Sequence, residues 1–341
     1  MPKKLSVSVL MGGPSAERKI SLITGKAICR GLDKKKYEIL PFEIDQKRKI
    51  LFDKKFYHQL NSVGALKLSD ETKLMKSGEE ANKKIDVVFI ALHGTFGEDG
   101  SLQGLLESLD IPYTGSRVLA SALAMNKVFS GQIYEHNGLP HPKFEHFKKD
   151  EWKNNQPKFL AVVKKNISYP CVLKPVDQGS AVGVSIVKNE NELIKAVNKT
   201  IKKFPWLMAQ KFIRGKEATC GIIEKRGELI AFPPTHILPN LGEFYDYKSK
   251  YAAGGSTHIC PADFSAKVNK EIQELAKKAH KILDCRGMSR TDMFVADDGK
   301  IYVIETNTIP GMTPASLFPE AAAKMGISFP EMLDLIIEAS I

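Results

Sequence analysis

Residues 5–10 alternate apolar and polar side chains (Leu-Ser-Val-Ser-Val-Leu), which is the period-two pattern of a strand. Gly12-Gly13-Pro14-Ser15 break the alternation, and Ile20, Ile23, Ala27, Ile28 and Cys29 then recur at helical spacing up to Gly31. The pattern predicts strand, glycine loop, helix. Residues 37–44 and the nearly continuous apolar run 85–92 add two strands suited to a parallel sheet buried on both faces. The second of them runs into His93-Gly-Thr-Phe-Gly-Glu-Asp-Gly100, after which Leu102, Leu105, Leu106 and Leu109 mark another helix. The first ~120 residues are therefore expected to form an open α/β domain whose ligands gather at the carboxyl ends of its strands.

Beyond it the pattern predicts one helix over about 121–137, ended by Gly138-Leu139-Pro140, and then a polar Lys/Asn/Gln stretch at 147–158. Short strands at 169–174 and 184–187 flank Asp177-Gln-Gly-Ser-Ala-Val-Gly183. From Gly215 onward come further strands, a Tyr/Lys-rich loop, a helix over about 266–283, a hairpin and terminal helices.

The 341 residues are 43% hydrophobic and 26% charged, ordinary globular usage with apolar material for two or three cores. The longest apolar runs, 85–92 and 118–125, fall short of the roughly 18–20 residues that span a bilayer, and the start leads into alternation rather than a signal-peptide core. A soluble cytoplasmic protein without membrane partners is expected. Cys29, Cys171, Cys220, Cys260 and Cys285 are scattered without C-x-x-C, so they read as buried small hydrophobes. The net charge of +11 raises a nucleic-acid partner, but the basic residues recur as pairs along the whole chain with no block forming a binding tail. A solvated lysine-rich surface is the favoured reading.

Candidate chemistry concentrates at 290–307. Asp298-Gly299 is a common two-residue hairpin turn between apolar runs 293–296 and 301–304. With that turn Asp292 faces Glu305, and Arg290 faces Asn307 on the same side. Opposed carboxylates repel unless a cation sits between them, and the hard oxygens of Asp292, Glu305 and Asn307 suit Mg²⁺. The alternative is a solvated polar sheet face, and a one-residue register change removes the pairing. Lys174 ends a strand before the glycine-rich loop 178–183, an arrangement able to hold phosphate but equally compatible with a plain hairpin. The segment Phe244-Tyr-Asp-Tyr-Lys-Ser-Lys250-Tyr251, with Gly254-Gly255 after it, has the make-up of a closing lid or of a surface loop.

Taken in order, these residues resemble one family, the D-alanine:D-alanine ligases of the ATP-grasp superfamily. The resemblance rests on Gly12-Gly13-Pro-Ser-Ala-Glu17, His93-Gly-Thr-Phe-Gly-Glu-Asp-Gly100, Met125-Asn-Lys127, Leu173-Lys-Pro175 with Gly179-Ser180, and Phe244-Tyr-Asp-Tyr247 with Lys250-Tyr251. It continues through Arg290-x-Asp292, Glu305-Thr-Asn307, Pro310-Gly-Met-Thr313 and Ser316-Leu317, and so covers nearly the whole chain. It implies an α/β chain of ATP-grasp fold, with an N-terminal open α/β domain (1–122) and two lobes clamping ATP (123–214 and 215–341).

It further implies that Glu17 holds the first substrate's ammonium, with Ser180 and Tyr251 bonded to it and His93 near that substrate's carboxylate. Ser316 and Leu317 match the grip on the second carboxylate, and Arg290 with the Gly311 N–H an oxyanion site. Lys127, Lys174 and Lys250 correspond to groups facing ATP, Lys211, Phe212 and Ile213 to the adenine side, and Glu217 to the ribose contact. Asp292, Glu305 and Asn307 match ligands of two Mg²⁺ ions, with Mn²⁺ as a substitute. The resemblance also implies a homodimer, and an acyl-phosphate route to D-alanyl-D-alanine for peptidoglycan precursors. Related ligases making D-alanyl-D-lactate or D-alanyl-D-serine are the alternative, and Tyr251 favours an amine acceptor. Asn126, Ala181 and Gln210 depart from the family pattern, where acid, serine and glutamate are common. The acceptor of the attacking amine's proton is not legible in the sequence.

Overall fold

A computed structural model describes residues 4–47, 50–51, 85–240, 255–313 and 316–341. The opening alternation forms β1 (Leu5–Gly12), followed by α1 (Arg18–Gly31), β2 (Tyr37–Ile44), β3 (Ile50–Leu51) and β4 (Val87–Ile90). Their sheet has the order β3-β2-β1-β4, with β2 and β4 parallel to the central β1. β1 is buried along nearly its whole length, so even its Ser6 and Ser8 lie inside, as a parallel sheet covered on both faces requires. In α1 the buried Ser21, Thr24, Gly25, Ile28 and Cys29 form one stripe at helical spacing. The run 85–92 pairs only over Val87–Ile90; Ala91 and Leu92 stay buried and lead into the loop that carries His93.

Next come α2 (Ser101–Ser108), α3 (Val118–Met125) and α4 (Lys127–His136). The single helix expected over 121–137 is thus broken. At Asn126 the backbone is extended (φ −92°, ψ 102°), and its side chain accepts the N–H groups of Val128 and Phe129, capping α4.

β5 (Phe144–Lys148), α5 (Lys149–Asn166), β6 (Cys171–Pro175), β7 (Ser185–Val187), α6 (Glu190–Thr200) and β8 (Trp206–Lys211) build an antiparallel sheet of order β5-β8-β6-β7 and its helices. The polar stretch 147–158, to which the sequence pattern assigns no element, is the end of β5 and the first half of α5. Its polarity is the helix's solvated side, while Trp152, Leu160 and Val163 bury against Phe147, Cys171 and Leu173. α6 and β8 lie outside the sequence expectations.

The last unit holds β9 (Gly215–Lys225), β10 (Glu228–Ala231), β11 (Thr235–Pro239), β12 (Ser256–Ile259), α7 (Ala266–Ile282), β13 (Met288–Ala296), β14 (Ile301–Asn307), α8 (Leu317–Lys324) and α9 (Phe329–Glu338). The strands run β12-β11-β9-β13-β14 with β10 on β9, and α7 packs on them through Ile272, Ala276 and Ala279. α8 and α9 turn back onto the first sheet. Phe318, Met332, Leu333 and Ile336 share one core with Val7, Val9, Phe89 and Ile90, and the Tyr37 hydroxyl donates to Asp334 at 2.8 Å. Four of the five cysteines are buried free thiols, and Cys260 is half-buried.

The β13–β14 hairpin turns through three residues, not the expected two. Ala296 N donates to Lys300 O at 2.9 Å, and Gly299 is left-handed at φ +84°. Met293 consequently faces Val303, one residue off the expected register. A β-bulge, with Ile304 as the extra residue, restores the pairing of Asp292 with Glu305 and of Arg290 with Asn307.

Gly221 sits opposite Arg290 in the β9–β13 ladder, and a Cβ there would lie 2.7 Å from ring carbons of both Phe232 and Phe318. Gly221→Ala is expected to lower stability by about 1–3 kcal/mol through overpacking. A lower urea midpoint at unchanged m checks this, and an unchanged midpoint contradicts the packing.

Candidate active site

The loops leaving the carboxyl ends of β1 and β4, the β6–β7 loop, the β13–β14 hairpin and the start of α8 enclose a cleft of about 350 Å³. Ten sequence-predicted residues line it: Glu17, His93, Lys127, Ser180, Arg290, Glu305, Asn307, Gly311, Ser316 and Leu317.

Glu17 precedes α1 without capping it by its side chain. Its carboxylate instead accepts the Ser180 hydroxyl from the β6–β7 loop, where Ser180 takes a left-handed backbone (φ +50°). Close approach of two glycines makes the space: a Cβ on Gly94 or Gly179 would lie 2.8 or 3.0 Å from a Glu17 carboxylate oxygen. The His93 ring stands 3.0 Å from Thr24 Oγ1, and its burial lowers its pKa against the opposing pull of Glu17, so it is neutral near pH 7.

Across the cleft, Arg290 Nε and Nη2 each donate to Asp292 at 2.9 Å, and Thr219 adds a hydroxyl at 2.6 Å. Lys127, first residue of α4, places its Nζ 3.0 Å from Glu305 and 2.7 Å from Gln178 O. Burial pushes the Lys174 ammonium down to about 8; Glu305 opposes this and Lys127 adds to it. With its amide turned to suit both neighbours, Asn307 donates to Glu98 at 2.8 Å and accepts from Arg290 at 3.1 Å. Each opposed carboxylate therefore has its own cation, Arg290 for Asp292 and Lys127 for Glu305. Among the described residues no three His, Cys, Asp or Glu side chains gather into a metal cluster. Two carboxylates plus the Asn307 amide oxygen are nonetheless a hard-oxygen set that fits Mg²⁺ completed by water and phosphate oxygens.

At the other end Ser316 is engaged with Thr313, whose N–H it accepts at 3.1 Å, and a Cβ on Gly311 would lie 3.0 Å from its hydroxyl. His258 of β12 also lines this cleft. Lys211, Phe212, Ile213 and Glu217 do not line it; the first three lie where the chain crosses from β8 to β9, between the two antiparallel sheets, and Glu217 on β9. Lys250 and Tyr251, and the expected lid up to residue 254, lie outside the described residues. Of the departures from the family pattern, Asn126 serves as a cap, and buried Gln210 bonds the His141 ring at 2.9 Å.

Glu98 was given no role by sequence reasoning, although its place within the His93–Gly100 motif was a visible signal. It is buried, accepts the Gly94 N–H, and meets Asn307. Burial, with Glu17 nearby, pushes its carboxyl up to about 8.

Residues 6–116 match the family described as D-ala D-ala ligase N-terminus, and residues 133–338 that described as D-ala D-ala ligase C-terminus. A D-alanine–D-alanine ligase of Syntrophobacter fumaroxidans is 42% identical over 340 residues, 99% of this chain and 98% of the relative. Among solved structures, the VanG D-Ala:D-Ser ligase of Enterococcus faecalis superposes with a TM-score of 0.83 at 30% identity, covering 99% of this chain and 100% of that one. The D-alanine–D-alanine ligase of Bacillus anthracis complexed with ATP gives 0.74 at 31% identity, covering 98% and 97%. The fold is the ATP-grasp fold. Among the described residues no helix is long and apolar enough to cross a membrane.

A carboxyl held above its ordinary 4.5, as Glu98 is, favours the folded state while protonated, and that contribution is lost as pH climbs through about 8. Glu98→Gln is therefore expected to gain stability relative to the parent, ligand-free, as pH rises from about 5 to about 8. Thermal unfolding at both pH values checks it; an equal difference at the two contradicts it.

Proposed function

This chain belongs to the D-alanine–D-alanine ligase family, and from that membership we propose that it joins two D-alanine molecules at the expense of ATP, for peptidoglycan precursor synthesis. The observation that supports the reading is the convergence, on one cleft, of the Glu17–Ser180 pair with Arg290, Glu305 and Asn307.

A carboxylate is a poor electrophile, so the first D-alanine is phosphorylated by ATP. The amine of the second attacks the acyl phosphate and expels phosphate. Glu17, kept in place by Ser180, holds the first ammonium, and neutral His93 lies beside that substrate's carboxylate. Ser316 and Leu317 hold the second carboxylate. Negative charge gathers on the carbonyl oxygen in the tetrahedral state, where Arg290 and the Gly311 N–H stabilise it, a contribution of about 3–4 kcal/mol per donor. Lys127 and Lys174 neutralise the moving phosphoryl group, with Lys250 as a further ATP contact. Lys211, Phe212 and Ile213 face the adenine, and Glu217 the ribose.

Asp292, Glu305 and Asn307 would hold Mg²⁺, two ions with Mn²⁺ as substitute, which when bound offset phosphate charge. With the ion held there, Arg290 would be free to face the reaction centre and Lys127 to meet phosphate. The working units are residues 1–122, 123–214 and 215–341, and the protein acts as a cytoplasmic homodimer, with no nucleic-acid partner.

Phosphate release from MgATP is expected to require D-alanine, with D-alanyl-D-alanine dominant when D-serine or D-lactate is also offered. No D-alanine-dependent release overturns the reading, and a dominant mixed product moves it to the sister ligases. Glu305→Ala should lower turnover by more than ~100-fold while the protein stays folded, because a ligand of the ion is gone; near-normal turnover contradicts the hairpin assignment.

A further inference from the structure

The attacking amine arrives as an ammonium and must lose a proton before its lone pair can form a bond, yet most acid–base groups in the cleft are already committed. Glu17 accepts the Ser180 hydroxyl, and His93 is buried against Thr24. Glu98 is bonded to the Gly94 N–H and Asn307, and Glu305 is paired with Lys127. His258 differs from these. It lines the same cleft as Ser316 and Leu317, its Nδ1 lies 3.1 Å from Glu320 Oε2, and among the described residues its Nε2 meets only the small hydroxyl of Ser256, at 3.0 Å. Its side chain keeps 20% of its exposure, so a substrate and then water can reach it.

Glu320 belongs to the first turn of α8, and its N–H donates to Ser316 O at 3.0 Å. The carboxylate that orients His258 is therefore bonded through its backbone to the residue read above as the grip on the second carboxylate. A ring fixed at one nitrogen by a carboxylate, with the other nitrogen facing an exchangeable hydroxyl, is the arrangement of an oriented general base.

We propose that His258, oriented by Glu320, takes the proton from the amine of the second substrate. The inference rests on the ligase reading above. The ammonium proton passes to Nε2, displacing the Ser256 contact. The freed lone pair forms the C–N bond at the acyl carbon, and the C–O bond to phosphate breaks as the tetrahedral state collapses. A second amine proton leaves with the phosphate, and His258 returns its own proton to water.

The test compares two nucleophiles on the acyl phosphate. D-alanine needs a base, whereas hydroxylamine is already neutral at pH 7 and does not. With ATP, magnesium and D-alanine, His258→Gln is expected to lose dipeptide formation by about 100-fold. Its yield of D-alanyl hydroxamate, when hydroxylamine is added, should stay within about twofold of the parent. Glu320→Gln should lower the dipeptide-to-hydroxamate ratio in the same direction but less. The hydroxamate itself reports a folded enzyme that uses ATP. Equal loss of both products, or loss of neither, overturns the assignment of His258. Absence of both products from the parent protein overturns instead the ligase reading on which it rests.

Discussion

Asp292 and Glu305 face each other across the β13–β14 ladder, and two carboxylates at that spacing repel unless positive charge is brought to them. In the ligand-free chain Arg290 and Lys127 supply it, one from the same strand and one from the start of α4. Much of the surrounding structure serves this balance. The bulge at Ile304 brings the two acids into register, Thr219 of β9 fixes Asp292 from behind, and the Asn126 cap starts α4 so that Lys127 points at Glu305. In the proposed function the same carboxylates would hold a metal ion, leaving the two cations for the reaction centre and the phosphates.

A second constraint joins distant parts of the chain around this hairpin. The Glu17 carboxylate reaches Ser180, so the loop after β1 and the β6–β7 loop close on each other, and Gly94 and Gly179 leave room for no other atoms there. Packing of α8 and α9 onto the first sheet holds Ser316 and Gly311 at the opposite wall. The cleft is thus a product of long-range packing, and its residues come from every part of the chain.

That origin explains what could be read from the sequence. β1, α1 and β2 were legible because each has a clear apolar period. The polar first half of α5 hid a helix whose buried stripe is only Trp152, Leu160 and Val163. The break at Asn126 was hidden because a capping asparagine and an internal one have the same spacing. The Asp292–Glu305 pairing was expected from a two-residue turn and arises instead from a three-residue turn corrected by a bulge, two one-residue displacements that cancel. Ten of the expected site residues meet in the cleft because the ordered motifs carry them. Glu98 stood inside one of those motifs without a role, since its partners Asn307 and Arg290 arrive from the far end of the chain. His258 belongs to no motif, and only the fold brings it to Glu320.

The claim that the opposed carboxylates exchange protein cations for a metal ion is tested most directly by thermal unfolding with a non-hydrolysable ATP analogue, with and without Mg²⁺. A ligand that binds only the folded state raises the midpoint according to its affinity. For the parent protein, magnesium is expected to add a clear increment to the analogue's shift, and in Asp292→Asn that increment should vanish while the analogue's own shift persists. The same magnesium increment in both proteins would contradict the account.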